Sequence, residues 1–293
     1  ADLLLFMWWL PGVGPAYRGV MRFLPESNRR KVVFLIHDAL PHRRFPGDAF
    51  LARMALKPAA GYLALSQAEA GVLRSILPDV NPARIHISPH PVFTSYELYA
   101  GTPEQAREAL GVSAKHVLLF FGFVLPYKGL DLFIRALPEV IRQRPDTVLL
   151  ICGPFQQDRG ACERLSAELG VRSHLVVHDR YFSGPDVSAC FAAADAVVLP
   201  YRSATQSGVI PLAYGLGVPV IATSVGALSE AVRDGQTGYL VPPDDPARLS
   251  EAVDRFYTAG GRPAFQTAIR AEASRYTWDH FLQSIQTIHD HLS

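Results

Sequence analysis

Short apolar runs, each bounded by turn residues, alternate with amphipathic stretches from one end of this chain to the other, and no other feature limits the fold as tightly. A run such as HVLLFFGF (116–123) is apolar at consecutive positions, so both faces of the strand it forms must be covered. After it, Leu130, Phe133, Ile134, Leu137, Val140 and Ile141 recur at helical spacing on one face. Strands buried on both sides and separated by helices predict parallel sheets wrapped by helices, an α/β architecture.

The alternation occurs twice. In the first part, strands are predicted at 3–9, 32–36, 62–65 and 85–87, with helices near 16–24, 48–57 and 67–77. In the second, strands are predicted at 116–123, 147–153, 174–178, 196–201, 219–223 and 239–243, with further helices near 159–169 and 186–193. Residues 89–105 are rich in Pro, Gly and Thr and carry neither period, which places a linker there. The expected organisation is a partial N-terminal Rossmann-like domain at 1–95, a C-terminal Rossmann-like domain at 96–275 and a terminal helix at 276–293. Trp278, Phe281, Ile285 and Ile288 give that helix an apolar stripe, which is expected to pack back on the N-terminal domain. At 293 residues the chain can bury two such cores.

Charge and cysteine content exclude several classes. A formal net charge of +1 gives no global basic field, so no nucleic-acid partner is implied and any anion must be held locally. Cys152, Cys162 and Cys190 fall in neither a CxxC nor a His-rich spacing, which suggests no disulfide framework, no zinc site and a cytoplasmic compartment. The run LLLFMWWL follows Asp2 rather than a basic segment and is too short to span a bilayer, so it reads as a buried strand.

Five segments of the second part occur in one order at domain-like spacing: GFVLPYKG with LDLFIRAL (122–137), ICG (151–153), FAAADAVVLPY (191–201), GVPVIATSVGALSEAV (217–232) and DGQTGYLVPPDDPARL (234–249). Together they closely resemble the C-terminal domain of family 4 glycosyltransferases, retaining enzymes of the GT-B fold. VVFLIHDALPH (32–42), LALSQAEAGVL (63–73) and IHISPHPV (85–92) resemble the later part of that family's N-terminal domain. The family's first βαβ unit and Gly-rich acceptor loop have no counterpart here, and the chain begins at Ala1. The expectation is therefore a fragment, or a sheet edge covered by another chain.

The resemblance implies two Rossmann-like domains facing a cleft, and a hexose moved from a UDP- or GDP-sugar to a glycan or lipid-linked acceptor. It gives Lys128, in the turn after the first strand of the second domain, the part of the diphosphate lysine; by residue type alone it would be a solvated lysine at a helix start. Gly122 and Phe123 belong to the same turn, where the family usually also carries an arginine; Phe123 and Leu125 stand there instead. Thr205, Gln206, Ser207, Gly208 and Val209 open a helix whose backbone N–H groups could face the diphosphate, although Ser207 serves equally as a cap. The family places two glutamates on this loop and helix. The corresponding positions hold Ala204 or Thr205 and Leu212 or Ala213, and no Asp or Glu occurs between Asp195 and Glu230. The polar run Thr205–Gln206–Ser207 offers uncharged replacements. Losing both carboxylates leaves a catalytically degenerate nucleotide-sugar-binding or scaffold protein as the alternative.

Arg180 and Tyr181 lie at a strand end that the family uses against the nucleobase, with core packing as the competing role of Tyr181. Glu230 matches a family glutamate and equally suits a surface position. On the first domain the resemblance puts His37 beside the transferred sugar, with Asp38, Trp8 and Trp9 on the acceptor side; indole faces carry sugar rings or sit at a membrane surface, and core packing is expected of at least one of the two. For His42 and His90 the structural reading leads, and His289 and His291 read as exposed helix residues. No Asp-x-Asp occurs, so no metal and no cofactor is expected beyond the donor itself. A peripheral contact with the inner face of the membrane completes the expectations.

Overall fold

A computed structural model describes residues 2–41, 45–91 and 98–292. It divides into two compact units, the first made of Ala1–Pro91, Ala204–Gln206 and Arg275–Ser293, the second of Val92–Ser203 and Ser207–Ser274.

In the first unit the chain runs through β1 (Leu4–Trp8), α1 (Gly14–Phe23), the single turn α2 (Glu26–Arg29), β2 (Val32–Ile36), α3 (Asp48–Leu56), β3 (Gly61–Ala64), α4 (Gln67–Ile76) and β4 (Ile85–Ile87). The four strands form one parallel sheet in sequence order. Alternation along β2 shows why this segment must be a strand covered on both sides. Val32, Phe34 and Ile36 join the core beneath the helices that follow the strands, whereas Val33 and Leu35 face the opposite way. That second face needs a cover. After the second unit, helix α13 (Trp278–Leu292) supplies it: Phe281 and Ile288 pack with Val33, Leu35, Leu63 and Leu65. Trp278, predicted to share the apolar stripe, is instead 42% exposed.

Register fixes where the first unit's loops emerge. Trp8 pairs with Ile36, Ile36 with Ala64 and Ala64 with Ile87, so the four strands end level. Trp9, His37 and the residues after β3 and β4 therefore leave the sheet along one edge.

The first helix of the second unit is α5 (Pro103–Ala109), whose first three residues fall in the segment predicted to be linker. Its sequence TPEQ is a capping box: Thr102 accepts from the Gln105 N–H and the Gln105 side chain accepts from the Thr102 N–H. There follow β5 (His116–Phe121), α6 (Leu130–Gln143), β6 (Thr147–Cys152), α7 (Arg159–Glu168), β7 (Leu175–His178), α8 (Pro185–Ala193), β8 (Ala196–Leu199), α9 (Val209–Gly215), β9 (Val220–Thr223), the turn α10 (Leu228–Ala231), β10 (Gly238–Val241), α11 (Pro246–Thr258) and α12 (Arg262–Ala273). The six strands are parallel in the order β10-β9-β8-β5-β6-β7, so the chain starts in the middle of the sheet and winds outward in both directions. The switch in direction falls at the ends of β5 and β8, the place where open sheets of this kind take ligands. Among the described residues no helix is long and apolar enough to cross a membrane.

Candidate functional site

In the second unit the switch point is occupied by a lysine. β5 stops at Phe121 because Gly122 takes a φ of +92°, a left-handed conformation that turns the chain away from the sheet. The chain then passes through a tight turn over Pro126–Lys128 and re-enters helix at α6 through Gly129, again left-handed at +66°. The Lys128 side chain folds inward, only 9% exposed, which replaces the solvated lysine that its residue type suggests. Its Nζ lies 5.6 Å from the centre of the Tyr201 ring, and a Cβ placed on Gly122 would stand 3.4 Å from it. Among the described residues no carboxylate pairs with this ammonium. Burial pulls its pKa from the ordinary 10.5 to about 8.

The turn is held from outside by an arginine that sequence reasoning did not single out. Arg202 grips Asp131 of α6 through two parallel bonds of 2.9 and 2.7 Å, reaches Asp244 at 3.2 Å, and donates to the Pro126 carbonyl at 2.9 Å. Its own N–H donates to the Tyr127 carbonyl at 2.7 Å. Burial opposes ionisation of Asp131, and the Arg202 hydrogen bonds and charge overcome it, holding the carboxyl below its usual range. Arg202 thus fixes the turn while its own charge is engaged. Tyr201, buried beneath Lys128, was also missed; it follows β8, and only the pairing of β8 with β5 reveals what it faces.

The polar loop is divided. Ala204–Gln206 group with the first unit and Ser207 onward with the second. The Thr205 hydroxyl donates to Asp38 Oδ1 and the Thr205 carbonyl accepts from Ser66 Oγ at 2.9 Å, so this side chain, expected to face a ligand, is committed to a protein carboxylate. Gln206, Ser207 and Val209 are half-buried. Ser207 Oγ accepts from the Val209 N–H at 3.3 Å, but the N-cap position of α9 is Gly208, which has no side chain to cap with. Gly208 has a φ of −68° with open space beside it, so the backbone there imposes no need for glycine. Of the positions aligned with the missing glutamates, Ala204, Leu212 and Ala213 are buried, where a carboxylate would have to be desolvated.

Farther along, Arg180 pairs with Asp186 at 2.8 Å and lies 4.1 Å over the Phe182 ring, while Tyr181 is 70% exposed rather than core. Glu230 is an exposed residue of α10.

In the first unit the level strand ends bring Trp9, His37 and His90 together. The His37 ring lies flat against Trp9, centroids 3.8 Å apart and planes 4° apart, with His90 at 6.0 Å. His37 is buried, and its Nε2 has no hydrogen-bond partner among the described residues. Burial first, and then neighbouring His90, pull its pKa to about 4, so the ring is neutral at physiological pH. Trp9 presents its other face outward at 52% exposure. Trp8 must be removed from the acceptor-side set: it is fully buried, and its indole N–H donates to the Ala39 carbonyl at 3.3 Å. Its place in the β1 alternation points it into the core. His42 lies outside the described residues. His289 contacts Asp290 at 3.2 Å and the His291 ring lies 5.5 Å from that of His86, so both have neighbours.

Solved structures share this architecture. The chain matches the Anabaena protein Alr3699/HepE in complex with UDP-glucose with a TM-score of 0.81, at 18% identity over 98% of this chain and 78% of that one. Sucrose-phosphate synthase from Thermosynechococcus elongatus matches with a TM-score of 0.79, at 19% identity over 98% of this chain and 73% of the other. The fold is therefore that of the GT-B glycosyltransferases, built from two Rossmann-like domains. The family model described as Glycosyl transferases group 1 matches residues 115–259, which hold β5, Lys128 and every later strand. A D-inositol 3-phosphate glycosyltransferase of Acidothermus cellulolyticus is 32% identical over 70% of this chain and 47% of its own length. A GDP-mannose-dependent alpha-(1-6)-phosphatidylinositol monomannoside mannosyltransferase of Mycolicibacterium smegmatis is 35% identical over 50% of this chain and 40% of its own. Residues 115–259 belong to the glycosyl transferases group 1 family. The chain spans about half the length of these curated relatives.

Proposed function

We propose that this chain is part of a retaining glycosyltransferase that moves a hexose from a UDP- or GDP-sugar to a glycan or lipid-linked acceptor, with no metal in the reaction. The observation that carries this reading is the buried ammonium of Lys128, without a carboxylate partner among the described residues, at the switch point of the second sheet. A group that is unfavourable as a cation without a ligand is favourable beside a diphosphate, and most so as the bond from the sugar to the β-phosphate breaks and charge gathers on the leaving oxygen. The acceptor oxygen then bonds the sugar carbon, and its proton passes to the departing diphosphate. His37, neutral and with Nε2 unpartnered, hydrogen-bonds a sugar hydroxyl without adding charge. Trp9 offers an apolar face to a sugar ring. Two relatives act on inositol-containing substrates by name, which supports an acceptor bearing hydroxyls on a ring.

Calorimetry with UDP, GDP and their hexose conjugates tests this: saturable binding that weakens in Lys128→Met supports it, and its absence in a full-length version of the protein refutes it. The missing carboxylates around Ala204 and Leu212 favour a second reading, a protein that binds nucleotide-sugar and transfers nothing; turnover of a labelled donor by the full-length protein excludes it. The proposed location is the cytoplasm at the inner face of the membrane. Val20 and Phe23 on α1 and Phe50 on α3 are exposed apolar side chains, with Arg18 and Arg22 on the same helix as the first two. Co-sedimentation with anionic vesicles that survives Phe23→Ser with Phe50→Ser would exclude that face.

A further inference from the structure

A carboxyl group away from the switch point is buried without an evident structural need. Ser66-Gln67-Ala68-Glu69 opens α4 with the pattern of a capping box, as Thr102–Gln105 opens α5. At α5 both halves of the box form. At α4 only one does: Ser66 Oγ accepts from the Glu69 N–H at 3.0 Å, but the Glu69 carboxyl does not return to the Ser66 N–H. Glu69 reaches instead to the turn after β2, where Oε1 accepts from the Ala39 N–H. It is fully buried, and Oε2 has no hydrogen-bond partner among the described residues.

Ala39 is held through both of its backbone polar groups, its carbonyl by the Trp8 indole N–H and its N–H by Glu69. The two residues before it are His37, stacked on Trp9, and Asp38, bonded to Thr205. Ser66 closes the circuit, since its hydroxyl both caps the Glu69 N–H and donates to the Thr205 carbonyl. A helix cap needs no carboxyl buried beneath a loop, and an apolar residue would fill that space at lower cost in desolvation. From this circuit we infer that Glu69 is a positioning residue, whose buried carboxyl group holds the His37–Ala39 turn and so sets where His37 and Asp38 stand. The inference takes the role of His37 from the proposed function, but its test does not use transfer activity.

The strength of the hold depends on the charge of Glu69. Burial raises its pKa to about 7; the Ala39 N–H bond lowers it and the Asp38 charge raises it further. The titratable groups on the turn that faces it are Asp38 and His37, with His90 next to His37. His37 stays neutral down to about pH 4 and therefore does not titrate in the same window. Above pH 7 the bond to Ala39 is charge-assisted, and below it the bond is between neutral groups and weaker.

The Trp8 indole N–H, bonded to the carbonyl of Ala39, is a direct reporter. In the intact 293-residue chain labelled with nitrogen-15, the Trp8 indole and His37 ring signals should move together with a midpoint near pH 7. In Glu69→Gln, whose amide oxygen still accepts from Ala39 but cannot titrate, that movement should vanish while the melting temperature stays near wild type. In Glu69→Ala the two signals should shift at every pH, and the exchange of the indole proton should quicken. A Gln variant that keeps the pH-dependent movement overturns the inference, as does a folded Ala variant with both signals in place. If the Ala variant does not fold, the Gln comparison decides alone.

Discussion

Replacing Lys128 with Met should make the empty protein more stable and the liganded one weaker, two effects of opposite sign from one atom. The distance from 10.5 to about 8, at about 1.4 kcal/mol per pH unit, means that charging the buried amine costs roughly 3 kcal/mol at neutral pH. Met has similar length and no charge, so the variant should recover much of this, on the order of 1–3 kcal/mol at pH 7. The sign follows from proton counting. Between pH 8 and 10.5 the unfolded chain holds a proton that the folded one has lost, so wild-type stability rises with pH across that interval and the penalty is complete below it. The advantage of the variant should therefore shrink toward nothing by pH 10.5. Urea unfolding should be followed by far-ultraviolet circular dichroism, because Trp8, Trp9 and Trp278 all belong to the first unit and would not report on the second. In calorimetry the variant should lose a charge-assisted bond worth about 1.5–3 kcal/mol, a roughly ten- to hundredfold weaker grip on UDP or GDP. A variant less stable than wild type at pH 7, or one that binds both nucleotides as before, would refute the reasoning.

The same proton governs how affinity varies with pH. Nucleotide binding should be nearly constant below about pH 8 and weaken above it, and calorimetry in buffers of different ionisation heat should show proton uptake just above that value. Gly129→Ala should destabilise the protein by more than about 2 kcal/mol in denaturant titration, since its Cβ would stand 2.0 Å from the Pro200 carbonyl oxygen at a φ of +66°. His37→Phe should flatten the acid side of the stability curve: between pH 6.5 and 4 the unfolded chain takes up a proton that buried His37 refuses, so wild type loses stability as pH falls through that window and the variant does not.

Much of this architecture was legible because consecutive apolar residues leave a strand little choice but burial on both faces. HVLLFF and VVFLI could be placed in parallel sheets before any contact was known. Residues whose role depends on a partner far along the chain were not legible. Tyr201 lies 73 positions beyond Lys128, and only the pairing of β8 with β5 brings them together. Arg202 could not be told from any surface arginine until Asp131 and Asp244 were seen on either side of it. Trp8 and Trp9 read as equivalent, although strand alternation assigns one to the core and the other to the surface once the direction of β1 is known. Glu69 was hidden for another reason. SQAE satisfies a local rule so well that the pattern conceals a carboxyl group used elsewhere.

Lys128, His37 and Glu69 are all driven toward their neutral forms by burial, and they lie in turns that leave the ends of strands or, for Glu69, against such a turn. Burial of this kind opposes folding, and an apolar side chain at any of the three positions would relieve it. In the proposed function its use would be electrostatic preorganisation: a cation already stripped of water gains more from an arriving diphosphate than a hydrated one, because the solvent reorganisation has been completed during folding. The chain has no acidic side chain between Asp195 and Glu230 to share that task. Under the proposed function, the hold on a diphosphate would therefore rest on the depth at which Lys128 is set, in a turn that Arg202 ties to Pro126 and Asp131.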